Sequence, residues 1–360
     1  MSGMESFKCK PRQIVKFVEK AIMAGRVPYV KSSPGMGKSS IMYQIAKKHN
    51  LFVIDHRLST SVPEDLSGLP KFKTKPIIDE NGNIIGEYDV ATFVAFDMFP
   101  VEGTPIPKGY DGWLIFLDEF NSAKKEVQAA AYKLILDKAV GLQKLHPRVA
   151  IACAGNLTTD RAIVNPLSTA MQSRVITLEM QIDFRQWFED VALANEYDPR
   201  IQAYLNMNQD NLMDFRPEHN ENTFCCPRTW EFMNDFCKGG QEVSDEYAPL
   251  YAGTITSGVA TQFIKFTEVA GSIPSVAQII SDPEKTRIPD QPEGKYFVAI
   301  SLLSQLTEEN LDKITIYINR MNSDFRVIFF RGIIARYPQL RAHPAYRAAA
   351  VELSRYLNED

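Results

Sequence analysis

The chain predicts an α/β fold: a parallel sheet of five strands with a phosphate-binding loop on its first strand, followed by helices. Three observations predict it. A glycine-rich turn, Ser33, Pro34, Gly35, Met36, Gly37, Lys38, Ser39, Ser40, joins a short apolar stretch at 27–30 to an amphipathic helix over 40–46. An unbroken apolar run, Trp113 to Leu117, ends in the two carboxylates Asp118 and Glu119. A third apolar run, 149–155, ends at Asn156. Continuous apolar runs of this length mark strands buried on both faces, as in parallel sheets.

The elements follow in order. Residues 11–24 form a helix with Ile14, Val15, Phe17, Val18, Ala21 and Ile22 on one side. After the phosphate loop and its helix comes a second strand at 51–54. Residues 76–88 carry Asn81-Gly82 between apolar-rich arms, the strongest short-range hairpin signal. The acidic strand is followed by a helix over 123–137, apolar at Val127, Ala130, Ala131, Leu134 and Ile135. A second hairpin around 139–142 leads to the strand ending at Asn156. Then Met171-Gln172-Ser173-Arg174 opens the last strand, 175–178. Helices follow at 184–195, 200–206 and 228–236, the last with Arg228 just inside a start at Pro227. Asp282-Pro283, Pro289, Pro292 and Gly294 mark a loop or linker before further amphipathic helices. Arg320, Arg326, Arg331, Arg336, Arg341 and Arg347 recur there, as a solvated face or as a surface for an acidic partner.

The chemistry sits at the strand ends. A strand that turns through glycines into a helix aims backbone N–H groups and the positive helix terminus at one spot, which suits a polyphosphate. Lys38 would reach the β- and γ-phosphates and the Ser39 hydroxyl would hold Mg²⁺. Ser32 stands where the first glycine of such a loop is usual. Ligands gather at the carboxyl ends of parallel strands, so Asp118 is placed to bind Mg²⁺ or its water shell, and Glu119 to polarise an attacking water. Asn156, a carboxamide at a strand tip, can orient that water and feel the γ-phosphate.

This ordered series resembles the AAA+ ATPases, and within them the MoxR-like group. Residues 33–39 are similar to Walker A and 115–119 to Walker B. Asn156 matches sensor 1, Arg174 the arginine finger, and Arg228 the sensor 2 arginine of the lid; Arg161 is the second candidate for the finger. Residues 62–68 resemble the family's segment after strand two, and the hairpin at about 70–95 its helix-2 insert, which can touch clients. The resemblance covers roughly residues 11–239, and the chain departs from it at Ser32 and in having no aromatic pore-loop signature. It implies an ATPase core over 1–182, an α-helical lid over 183–245 and a C-terminal helical extension over 246–360. It further implies ATP and Mg²⁺ as cofactors, a homo-hexameric ring with Arg174 entering a neighbour's site, and a protein client or an adaptor with a von Willebrand factor A domain.

Composition bounds the rest. The 360 residues carry 40 Lys+Arg against 44 Asp+Glu, a formal charge of −4. That balance gives no global reason to expect nucleic-acid binding. A nucleic-acid-associated machine of the helicase-loader or clamp-loader kind stays open as the alternative, supported by the extra helical tail. A scaffold that binds nucleotide without turning it over is a third reading, opposed by Glu119 and Asn156. No N-K-x-D guanine-reading motif appears. Five cysteines, an odd count with no C-x-x-C pair, suit reduced thiols. Residues 1–10 lack an apolar core of the signal-peptide type and no run approaches a membrane span, so a cytoplasmic enzyme is expected.

Overall fold

The computed structural model describes residues 7–160, 164–218, 220–269 and 273–357. Its chain divides into two compact units, Met1–Gln181 and Ile182–Asp360.

The first unit runs β1 (Lys8–Cys9), α1 (Pro11–Met23), β2 (Val27–Lys31), α2 (Lys38–Lys48), β3 (Leu51–Arg57), α3 (Pro63–Ser67), β4 (Leu69–Ile78), β5 (Ile84–Val94) and β6 (Gly112–Asp118). It continues with α4 (Lys125–Asp137), β7 (Ala139–Val140), β8 (Gln143–Lys144), β9 (Val149–Gly155), α5 (Thr169–Gln172) and β10 (Val175–Met180). The main sheet is parallel throughout, in the order β1-β10-β2-β9-β6-β3. Five of these strands are the expected ones. The sixth, β1, adds an edge through the pairs Lys8↔Glu179 and Cys9↔Met180; two residues are too short to leave a periodic signature.

The apolar run of β6 is continuous because both faces of the sheet are covered. Trp113, Ile115 and Leu117 pack with Val127, Ala131 and Leu134 of α4 on one side. Leu114 and Phe116 pack with Ile14 and Val18 of α1 and with Ile41, Met42 and Ile45 of α2 on the other. Alternate residues of a strand point to opposite faces, so β6 spans both cores. With five side chains buried to 0–3% exposure, at about 1.5–3 kcal/mol for a fully buried side chain of this size, β6 anchors the unit. Its acidic end is thereby held fixed.

The hairpin stands apart from this sheet. β4 and β5 pair antiparallel from Leu69↔Val94 to Ile78↔Ile84, longer than the Asn-Gly signal alone marked. At the tip Asp79 Oδ1 accepts hydrogen bonds from the backbone N–H of Asn81 (2.9 Å) and Asn83 (2.8 Å), and Gly82 takes a left-handed φ of 85°. Both faces of β4 are exposed. The second short hairpin, β7–β8, precedes β9 as expected.

The second unit is helical. It comprises α6 (Phe184–Trp187), which runs into a π-turn at Phe188–Leu193, then α7 (Pro199–Met207), α8 (Pro227–Cys237), α9 (Ala248–Ile255) and α10 (Ser257–Val269). There follow α11 (Val276–Ser281), α12 (Pro292–Ser304), α13 (Leu311–Asn319), α14 (Ser323–Arg336), α15 (Pro344–Glu352) and α16 (Ser354–Leu357). One core runs from Trp187 through Tyr204, Trp230, Phe263, Leu302 and Phe329 to Leu357, and α12 packs on α7. The expected boundary near 245 thus falls inside a single packed body.

The stretch expected as a linker is tied down as well. Tyr317 donates to Arg287 O (2.9 Å), and Arg320 Nη1 donates to Pro283 O (2.6 Å) and Thr286 O (2.9 Å). Three of the recurring arginines are internal braces rather than a solvated or partner-binding row. Arg331 pairs with Glu189 at 2.8 Å with both side chains buried or nearly so, Arg336 pairs with Glu196 at 2.6 Å, and Arg326 pairs with Glu352. All five cysteines are free and buried, and burial pushes the Cys225 and Cys237 thiols up to about 12. Among the described residues no helix is long and apolar enough to cross a membrane.

Candidate nucleotide site

The loop after β2 turns because its glycines allow it. Gly35 and Gly37 have φ of 75° and 84°, a region that costs any other L-residue strain. Gly37 caps α2 at its N-terminus, and Lys38, Ser39 and Ser40 form the first turn. The N–H groups of such a turn lack intrahelical acceptors and face outward along the axis. Ser32, in the place of the usual first glycine, is fully buried. Its N–H donates to Gly155 O at 3.3 Å, which ties the loop to the end of β9. Met36 packs against the core beneath α2.

Lys38 folds over this loop. Its Nζ donates to Ser32 O (3.0 Å), Ser32 Oγ (3.2 Å), Ser33 O (3.2 Å) and Asn156 Oδ1 (3.2 Å). Ser39 Oγ donates to Asp118 Oδ2 at 3.1 Å. A hydroxyl and a carboxylate oxygen at that separation are the hard oxygen donors that suit Mg²⁺, so the residues present fit the ion.

Just after Asp118 the chain breaks away from the sheet. Glu119 is left-handed at φ 53°, uncommon for a non-glycine residue and characteristic of functional turns. Asp118 Oδ1 accepts from Glu119 N at 2.8 Å and stabilises that bend. The Glu119 carboxylate accepts a hydrogen bond from Ser59 Oγ. Ser59 lies in the 3-10 turn Leu58–Thr60 that follows β3. His56 braces the same region through a 3.0 Å contact with Ser61 Oγ. Burial lowers the His56 pKa from the usual imidazole range.

Five of the residues expected in the site, Lys38, Ser39, Asp118, Glu119 and Asn156, are therefore assembled at the carboxyl ends of β2, β6 and β9. Two polar residues that sequence reasoning missed belong with them: Ser59, which holds Glu119, and Asn121. The Asn121 amide bonds both main-chain groups of Asn156, donating to its O (2.7 Å) and accepting from its N (3.0 Å). Asn121 stands three residues past Asp118 in the turn Phe120–Ser122, where an amide beside a serine carries no mark of its own.

The two arginines are placed differently. Arg174, at the exposed C-terminal end of α5, donates from Nη1 to Ala170 O (2.8 Å) and Ser173 Oγ (2.5 Å). Its guanidinium also lies 5.1 Å from the ring centroid of Tyr132 on α4, within cation–π range. Arg228 belongs to the second unit, at the exposed second residue of α8. Arg161 lies outside the described residues.

Comparison with known proteins gives distant likenesses of structure. The chain is similar to a RuvB mutant from Thermotoga maritima at 15% identity, covering 95% of this chain and 82% of that one, with a TM-score of 0.37. It is similar to a candidate ATPase from Cytophaga hutchinsonii at 13% identity, covering 98% and 91%, with a TM-score of 0.35. For NtrX from Brucella abortus the values are 12% identity, 91% and 69% coverage, and a TM-score of 0.39. No family model and no curated relative matches the chain. Scores this low assign neither a fold nor a function, so the reading of the site rests on its own geometry.

Proposed function

We propose that the chain is an Mg²⁺-dependent ATPase of the AAA+ type and MoxR-like group, acting in the cytoplasm as a homo-hexameric ring that remodels or activates a protein client. The observation that carries this is the convergence of a phosphate loop, two carboxylates and a strand-tip amide at one end of a parallel sheet. Lys38 reaches Asn156, and Ser39 reaches Asp118, across 118 and 79 residues of sequence respectively.

In this reading the N–H groups of the loop and Lys38 hold the polyphosphate of ATP. Ser39 and Asp118 would hold Mg²⁺, which would supply positive charge against the charge of the polyphosphate. Glu119 polarises the attacking water once its carboxylate leaves Ser59, and Asn156 orients that water. Arg174 leaves its resting place on Tyr132 to enter a neighbour's site, and Arg228 serves as the nucleotide sensor of the second unit. The β4–β5 hairpin and an adaptor with a von Willebrand factor A domain are the points of client engagement. The test is ATP turnover by the purified chain with Mg²⁺, and its loss in Lys38→Ala. Turnover that survives that change removes the phosphate-loop assignment.

One observation favours the nucleic-acid reading. Lys71, Lys73 and Lys75 alternate along β4, opposite Thr92, Val90 and Tyr88 of β5, so three exposed cations share one face of the ribbon with an aromatic ring. ATPase rates with and without single-stranded and duplex DNA separate the two readings. Stimulation lost on replacing the three lysines favours the second.

A further inference from the structure

At the site, β9 outlasts one of its neighbours. β6 pairs with it only as far as Leu117↔Cys153, because the chain leaves the sheet at the left-handed Glu119. On the other side β2 continues to Lys31↔Gly155. The end of β9 and the following Asn156 would face the gap left by β6 with main-chain groups unpaired. The Asn121 side chain fills that gap. Its amide meets Asn156 N and O at 3.0 and 2.7 Å, one as acceptor and one as donor, as a strand neighbour would.

Several features fix that amide in place. Asn121 is 3% exposed, and both of its side-chain groups are used, so only one flip state satisfies them. Its own carbonyl accepts from Asn165 N at 2.7 Å. Asn165 in turn donates through Nδ2 to Ala123 O at 2.8 Å, and Gln128 Nε2 donates to the same carbonyl at 3.1 Å. Gly155 leaves the necessary room: a Cβ there would lie 2.3 Å from Asn121 Oδ1 and 2.6 Å from Tyr29 Oη. Asn121 also lies two residues from Glu119, so one short turn carries the carboxylate and the amide that holds Asn156.

We infer that Asn121 is a positioning residue that sets Asn156 against Glu119 within its own subunit, fixing the two groups that orient the attacking water. The inference rests on the ATPase reading given above. Lys38 keeps its bonds to Ser32 O and Ser33 O when Asn156 shifts, so the loss of Asn121 should largely spare binding and slow turnover. A misplacement of about 1 Å in a reacting constellation costs on the order of 100-fold.

The test uses the full-length chain with MgATP. Affinity is read by titration with a fluorescent ATP analogue, turnover by phosphate release, and folding by thermal melting. Asn121→Ala removes the amide. Gly155→Ala keeps the amide and displaces it. Both should bind nucleotide within about twofold of the parent protein and lose about 100-fold in kcat. Mixing Asn121→Ala with Lys38→Ala subunits should restore nothing, because the only sites with an intact Lys38 lack the clamp. Parental kcat in Asn121→Ala, loss of affinity together with turnover, or recovery on mixing would each overturn the inference. Failure of both variants to fold assigns the amide to stability alone and overturns it too. A parent protein that does not hydrolyse ATP at all sinks the ATPase reading instead.

Discussion

Glu119→Gln separates binding from chemistry, and the structure says how cleanly. The replacement keeps the length and shape of the side chain, and its carbonyl oxygen can still accept from Ser59 Oγ, the bond that anchors the carboxylate. The left-handed bend at φ 53° is held by the backbone bond from Glu119 N to Asp118 Oδ1 at 2.8 Å, which the change does not touch. Lys38 and Ser39 make their bonds to Asn156 and Asp118 rather than to Glu119, so the phosphate cradle stays intact. Stability should change little, because the bend and the Ser59 hydrogen bond both survive the replacement. What is lost is the charge that polarises water, a general-base contribution of about 10²–10⁴-fold, or roughly 2.7–5.4 kcal/mol at 1.36 kcal/mol per decade. The assay pairs ATP titration with steady-state phosphate release, and sizing in the presence of ATP should show a trapped assembly. Unchanged turnover would refute the role of Glu119, and lost ATP affinity would show that it belongs to the cradle.

Lys38→Ala should abolish nucleotide binding, measured by titration. It should also lower the melting temperature, because Ser32 O and Ser33 O lose a shared cationic donor in a half-buried loop. Arg174→Ala should retain ATP binding and lose about 10³–10⁵-fold in turnover, the range measured for arginine fingers. Mixing it with Lys38→Ala subunits should restore part of that rate, and a dead mixture in demonstrably mixed rings removes the trans role. Truncation before Gly294 should leave the second unit unable to fold, seen as aggregation or rapid proteolysis of residues 182–293. A monodisperse, protease-resistant fragment would show that the later helices are dispensable. The core they supply, including Val298, Leu302, Ile314, Tyr317, Phe329 and Phe330, is worth about 1.5–3 kcal/mol per fully buried side chain, against a net stability of roughly 5–15 kcal/mol for a domain.

The parts legible in the sequence are those whose signal is local. Lys38, Ser39, Asp118, Glu119 and Asn156 each sit where an apolar strand ends or a helix begins, and that placement alone brings them to one edge of a parallel sheet. The Asn81-Gly82 turn announced its hairpin for the same reason. Ser59 and Asn121 carried no such mark. Their partners lie 60 and 35 residues away, and a serine or asparagine in a polar turn looks the same whether it caps solvent or holds a catalytic group.

The second unit makes the same point about domain boundaries. Prolines and glycines from Pro283 to Gly294 mark places where the chain changes direction, and direction changes occur inside a core as readily as between cores. Whether a segment is a linker depends on what its backbone groups meet, and here Arg320 and Tyr317 satisfy the carbonyls of Pro283, Thr286 and Arg287. The arginines of the tail follow suit. Spacing predicts a face, yet Arg331 and Arg336 find Glu189 and Glu196 some 142 and 140 residues earlier. Removing Glu189 would leave the Arg331 guanidinium, 12% exposed, without its carboxylate, and breaking a buried pair in that way costs about 3–5 kcal/mol. The segment that follows α6 is therefore coupled directly to α14, and the body closes only when residues beyond 330 are present to meet those near 190.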